Sequence, residues 1–123
     1  MYATRGNAEL DSQSILFLPR LMDLVGIEND ANVTLSLYLT GTGDDGIIEH
    51  GKFPNRTFGR RITERDLSRA LDGYKDSLYG AEYDRQGTLC YVCGPPKMTD
   101  EVVALLSAQP GMTEERVLCE KWW

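Results

Sequence analysis

The stretch Thr88-Leu89-Cys90-Tyr91-Val92-Cys93-Gly94-Pro95-Pro96-Lys97-Met98-Thr99 decides how the chain folds. Leu89, Tyr91 and Val92 suit a pleated surface and Cys90 behaves as a small hydrophobe, so the segment opens as a strand. Gly94 permits a sharp turn and a close approach of backbone to a ligand. Pro95 and Pro96 fix their own φ angles, donate no backbone N–H and cannot extend the strand. Thr99 is a candidate N-cap for the next helix, with Asp100 and Glu101 in a first turn where the helix dipole favours anions. Strand, turn and helix in immediate succession place a loop at the carboxyl edge of a parallel sheet, where open α/β folds bind ligands. The stretch alone names no ligand.

Downstream, Val102, Val103, Leu105 and Leu106 predict a helix that stops by Gln109-Pro110-Gly111. Thr113-Glu114-Glu115 reads as a short helical turn, Arg116 to Cys119 as the last strand, and Glu120-Lys121-Trp122-Trp123 ends the chain. Upstream, Thr63-Glu64-Arg65-Asp66 resembles a capping box with Asp for Glu and opens a helix through Leu67, Ala70 and Leu71. Gly73 ends it, and Tyr74 to Gly87 reads as a polar connection with a turn at Tyr79-Gly80.

The first half supplies the other strands. Met1 to Arg5 reads as a strand and Gly6 to Glu9 as a turn. Ile15, Leu16, Leu18, Leu21, Met22, Leu24 and Val25 form a core-facing stripe at helical spacing. Pro19 inside that helix costs about 3 kcal/mol unless it lies in the first turn, so the helix either kinks or begins near Leu18. Gly26 is the expected C-terminal stop. Val33 to Leu39 is the clearest strand, alternating at first and then apolar throughout. Residues 40–59 are rich in Gly, Asp, Asn and Pro and read as a loop insertion of ~20 residues, with Ile47-Ile48-Glu49 as an edge-strand candidate. The order of strands and helices argues for an α/β fold, a parallel sheet with helices on its faces.

The 123 residues make one domain's worth of chain, and the net charge of −6 argues against nucleic acid and anionic membrane as partners. No apolar run approaches the ~18 residues needed to span a bilayer. The start has neither signal-peptide nor transit-peptide character, which sets an intracellular, cytoplasmic expectation; a mitochondrial address requires an N-terminal extension. Three cysteines suggest no disulfide framework. Cys90-x-x-Cys93 lacks the second pair or histidines of a zinc site, and a dithiol of the thioredoxin kind opens a helix rather than sitting in a strand, so no metal is expected. His50, the one histidine, has no nearby acid–base partner and reads as a surface residue. Arg56, Arg60, Arg61, Arg65 and Arg69 are close in sequence. They form either an anion site, for nucleotide phosphates or for an acidic partner, or a solvated face paired with Glu64, Asp66 and Asp72.

The words Cys93-Gly94-Pro95-Pro96-Lys97-Met98 and Cys119-Glu120-Lys121-Trp122-Trp123 resemble the nicotinamide-binding domain of the ferredoxin reductase family. Tyr2-Ala3-Thr4-Arg5 is similar to that domain's second strand, and Gly59-Arg60-Arg61-Ile62-Thr63-Glu64 to a linker before a later helix. The resemblance implies a Rossmann-like parallel sheet with flanking helices, and NAD(P)H as cofactor. It places Cys93 near the nicotinamide C4, with Gly94 and Pro95 under the nicotinamide ribose and Pro96 and Met98 in the same cofactor-binding loop. Thr4 and Arg5 approach the adenosine ribose or a 2′-phosphate, which Arg can bind bidentately. Trp123 or Trp122 covers a flavin ring, with FAD carried on a missing barrel domain or a partner chain, or else packs on the sheet end.

No Gly-x-Gly-x-x-Gly loop precedes the first helix, and Asn7-Ala8-Glu9-Leu10 is no substitute. Residues 1–123 are therefore expected to form a single, N-terminally incomplete dinucleotide-binding domain that lacks its first, central strand. Two functions follow: positioning nicotinamide for hydride transfer to or from a flavin, or a truncated, non-catalytic remnant that self-associates or binds a partner through its incomplete sheet.

Overall fold

The computed structural model describes residues 1–5, 12–27, 33–41, 53–74 and 79–122. They form two compact units, Met1–Ile62 and Thr63–Trp123. Among the described residues no helix is long and apolar enough to cross a membrane.

In the first unit, β1 (Tyr2–Arg5), β2 (Leu37–Thr40) and β3 (Thr57–Phe58) form an all-parallel sheet in the order β1-β2-β3. Helix α1 (Leu18–Ile27) carries Pro19 as its second residue, where the missing N–H costs no helical hydrogen bond. Leu18 of α1 and Ile15 before it bury against Leu37 and Leu39, with Met22, Leu35 and Phe53 packed around them. Burial of each such side chain is worth about 1.5–3 kcal/mol. On the opposite face of β2, Tyr38 is buried and its ring stacks on Phe58 with centroids 4.9 Å apart. The Arg60 guanidinium lies over both rings, 5.1 Å from the Phe58 centroid and 5.5 Å from that of Tyr38. Arg56 Nε donates to the buried Ser36 Oγ at 3.1 Å.

Several expectations change here. Gly26 does not stop α1, which runs on to Ile27. Leu16 and Leu24 leave the predicted core stripe and are exposed; Leu24 lines an open apolar groove with Met1, Leu21, Val25, Val33 and Leu35. The strand begins at Leu37 rather than Val33, and the segment read as a loop over 40–59 contains β3. Ile47-Ile48-Glu49, His50 and Asn7-Ala8-Glu9-Leu10 lie outside the described residues.

In the second unit, β4 (Cys90–Gly94) and β5 (Val117–Lys121) pair in parallel, with Cys90 opposite Val117 and Gly94 opposite Lys121. Helix α2 (Glu64–Leu71) opens on the expected box: Asp66 N donates to Thr63 Oγ1, and Thr63 N donates to Asp66 Oδ2 at 2.9 Å. Helix α3 (Ala81–Asp84), inside the stretch read as a polar connection, follows Gly80, whose φ of 92° lies in the left-handed region. Helix α4 (Pro96–Ser107) starts earlier than expected, on Pro95 as N-cap, so Thr99 sits in its first turn rather than capping it. The strand before it likewise starts later, at Cys90, and absorbs Cys93 and Gly94.

One buried cation holds this unit together. Arg85 is 2% exposed. Its Nε donates to Asp72 Oδ1 at 2.7 Å, its Nη2 to Ser68 Oγ at 3.0 Å and its Nη1 to the Pro110 carbonyl at 3.1 Å. Arg116 adds a second clasp, donating to the carbonyls of Arg85, Gln86 and Gly111. Of the carboxylates expected to pair with the arginine run, Asp72 pairs with Arg85, Asp66 accepts from the Thr63 cap and Glu64 accepts from Gln109 at 2.9 Å.

Candidate functional site

The site built by the deciding stretch is the carboxyl edge of the β4–β5 sheet. Strand parity sorts its side chains, because alternate residues point to opposite faces. Cys90, Val92, Val117, Cys119 and Lys121 share the face toward α4, where Lys121 Nζ meets Asp100 at 2.6 Å. Leu89, Tyr91, Cys93, Leu118, Glu120 and Trp122 share the other. That face is open: Tyr91 is 64% exposed and Trp122 43%, with Leu89 and Leu118 exposed as well.

Gly94 joins three elements. Its carbonyl accepts from Thr99 Oγ1 at 3.1 Å and from the Trp122 N–H at 2.9 Å. The buried Thr99 thus ties the start of α4 to the strand end, and the backbone of residue 122 is held beside the turn. A Cβ at Gly94 would collide with the Met98 methyl, which lies over it. Cys93 is half-buried one residue before this junction, and Pro95 and Met98 are exposed just after it. Cys93, Gly94, Pro95, Pro96, Met98 and Trp122 are therefore brought to one sheet edge; Trp123 lies outside the described residues.

A buried glycine, a half-buried thiol and an exposed aromatic side chain stand together at the strand ends. Pro96 contributes no donor to the first turn of α4, so any helix-end N–H groups for a ligand come from the residues that follow it. Thr4 and Arg5 end β1 at the carboxyl edge of the other unit's sheet, opposite Leu39 and Thr40, and Thr40 Oγ1 donates to the Thr4 carbonyl at 3.4 Å.

Sequence reading missed one feature of this edge. Tyr91 Oη donates to Glu120 Oε2 at 2.8 Å, and Glu120 stands opposite Cys93 in the register. That bond, with the neighbouring carboxylate, raises the Tyr91 phenol above its usual range. Burial raises the Cys90 thiol, against a smaller opposing effect of the Arg116 charge. The shared parity of 91 and 93, and of 118, 120 and 122, carried the signal, but only the strand register shows that the two sets meet.

No family model and no solved structure matches the chain. It is 31% identical to oxidoreductase NAD-binding domain-containing protein 1 of Xenopus laevis and 29% identical to that of Xenopus tropicalis, each over 96% of its own length. The Danio rerio protein of that name is 50% identical over 40 residues. The chain spans 33% of the length of the two Xenopus proteins and 14% of the fish one. Over nearly all its residues, then, this chain is homologous to one third of a protein named for an NAD-binding oxidoreductase domain.

Proposed function

We propose that this chain is the NAD(P)H-binding part of a flavin-dependent oxidoreductase of the ferredoxin reductase kind. The observation that carries the reading is the similarity to proteins named for NAD binding over 96% of the chain. The open carboxyl edge at Cys93-Gly94-Pro95 gives it a place to act. Cys93 takes the position beside the nicotinamide ring, Gly94 and Pro95 the floor beneath its ribose, and Pro96 and Met98 complete that loop. Thr4 and Arg5 take the adenosine end, where Arg5 favours a 2′-phosphate. Trp122 or Trp123 stacks against the flavin, which is held as FAD by another domain or chain. The bound nicotinamide supplies the hydride; the protein supplies orientation and electrostatics.

Titration of the purified chain with NADH and NADPH tests this. Trp122 and Trp123 are its only tryptophans, so fluorescence reports on the proposed nicotinamide end. Saturable quenching, lost in Cys93→Arg and weakened in Arg5→Ala, is expected. A flat titration from protein that circular dichroism shows to be folded overturns cofactor binding by these residues alone.

The exposed face of Leu89, Tyr91, Leu118 and Trp122 favours a second reading, a non-catalytic interaction module. Parallel sheets are ordinarily covered on both faces. Concentration-dependent self-association in sedimentation velocity, without nucleotide affinity, distinguishes it.

A further inference from the structure

We propose that Thr63 is a phosphorylation site for a protein kinase that reads paired arginines, and that its modification undoes the capping box of α2. Arg60 and Arg61 stand three and two residues before Thr63. Guanidinium groups suit an acidic pocket on a kinase, which holds them by charge-assisted, bidentate bonds. Arg61 is exposed. Arg60 is half-buried over the Phe58 and Tyr38 rings, a contact weak enough at such a site to give way to a carboxylate. Residues 59–63 are neither helix nor strand, and Thr63 is exposed and extended, with φ −108° and ψ 163°. Such a run enters a kinase cleft without the unfolding of an element, and the first turn of α2 follows by fraying. Ser68 is the natural competitor, because it follows Arg65 by three residues. It lies half-buried inside α2, and its hydroxyl accepts from the buried Arg85 at 3.0 Å. Reaching it means unfolding α2 and breaking the Arg85 clasp.

In the transfer, the γ-phosphoryl group of ATP passes to Thr63 Oγ1. An O–P bond forms there, and the bond from the γ phosphorus to its bridging oxygen breaks. ADP leaves with that electron pair, and the hydroxyl proton goes to the base of the kinase. The hydroxyl now donates to Asp66 Oδ2 at 2.6 Å and accepts from Asp66 N. The ester has no proton to donate at that oxygen, and its phosphate carries a charge of about −2 beside the Asp66 carboxylate. A helix dipole attracts an anion at this end, but Glu64 and Asp66 already fill the first turn. Phosphorylation therefore loosens the start of α2, the helix that carries Ser68 and leads to Asp72, both partners of Arg85.

The experiment incubates the folded chain with ATP and the catalytic subunit of cyclic-AMP-dependent protein kinase, and maps incorporation by mass spectrometry. Wild type and Thr63→Ser are expected to take up close to one phosphate per chain, at residue 63. Thr63→Ala is expected to take up none there. Arg61→Ala should react about tenfold more slowly, the worth of one charge-assisted contact. Circular dichroism checks that each variant is folded, and a standard paired-arginine peptide checks that the kinase is active. Folded wild type that stays unmodified overturns the site. Modification that falls on Ser68 instead, or that is indifferent to Arg61, overturns it too. The purified phosphorylated chain is then compared with the unmodified one in urea. Its unfolding constant is expected to rise about fivefold, the effect of losing an N-cap. A phosphorylated chain as stable as the unmodified one, or more so, overturns the loosening of α2 and leaves the site standing.

Discussion

Replacing Arg85 with alanine should destabilise the second unit by about 3–5 kcal/mol, the cost of breaking a buried ion pair from one side. The side chain is enclosed, while its partner Asp72 keeps 22% of its side-chain surface exposed, so part of the orphaned carboxylate rehydrates. That places the Asp72 share toward the lower end of the range. Ser68 Oγ and the Pro110 carbonyl each lose a donor as well, at about 1 kcal/mol apiece. Because these partners lie in α2, just after it and just after α4, the loss should appear in global unfolding rather than as local fraying. For a unit of this size each kcal/mol moves the melting temperature by about 4–8 °C, so a drop of about 15 °C or more is expected. Urea unfolding followed by far-UV circular dichroism gives the free energy directly. Arg85→Lys, which keeps the charge but not the fork of donors, should fall between wild type and alanine. Asp72→Asn combined with Arg85→Met should cost less than the sum of the two changes, since no charge is left unpaired. An alanine variant within about 0.5 kcal/mol of wild type, the range of ordinary surface changes, would refute the assignment of Arg85 as the unit's central clasp.

Other consequences follow from the same geometry. Thr63→Ala removes both hydrogen bonds of the Thr63 hydroxyl while leaving the backbone bond from residue 63 to Asp66, and should cost about 1 kcal/mol in urea unfolding. Gly111→Ala should cost more: φ is +78° there, and the new Cβ would stand 2.6 Å from the Ala81 carbonyl oxygen and 2.8 Å from Glu82 Cα. A variant as stable as wild type would mean that the contact with α3 is not made. Leu18→Ala, in the core of the first unit, should cost about 2–5 kcal/mol, whereas Leu24→Ala should be nearly neutral. Timed alkylation mapped by mass spectrometry should find Cys119 modified before Cys90. Cys90 should react appreciably only above the usual thiol range, because burial raises its pKa and so keeps it protonated to higher pH.

What was legible in advance was set by local chemistry. The capping box at Thr63 needs only residues three apart, and the chain has it in full. Pro19 marked the start of α1 because a proline is cheap only in a first turn. The strand–Gly–Pro–Pro–helix order gave the parallel β4 and the helix behind it, although the boundaries moved by two to four residues, since β4 starts at Cys90 and Pro95 rather than Thr99 caps the helix. Positions whose state depends on distant partners were read less well. Leu16 and Leu24 fit the periodic stripe, yet nothing packs over them closely enough to bury them. Arg85 sits in a polar run with no local sign that Asp72, Ser68 and Pro110 converge on it. Its burial is a property of the loops around it, not of its neighbours in sequence.

The same distinction explains the candidate site. Cys93, Gly94 and Pro95 were visible because they are consecutive; the Tyr91–Glu120 bond, spanning 29 residues, was not. The two groups meet because the parallel β4–β5 register sets Glu120 on the same face as Tyr91, two residues beyond its partner Leu118, and one further bond, from the Trp122 N–H to the Gly94 carbonyl, continues the pairing past β5. That carbonyl also accepts from Thr99, so Trp122 and the start of α4 share one acceptor. A change at Thr99 should therefore be felt at Trp122, although the two belong to different elements. Thr99→Val keeps the shape and removes one bond to Gly94, with an expected loss of about 1 kcal/mol. If the shared carbonyl is what holds the edge, Trp122 fluorescence should change in that variant while the far-UV spectrum does not. An edge held by the register alone would leave the tryptophan signal where it was.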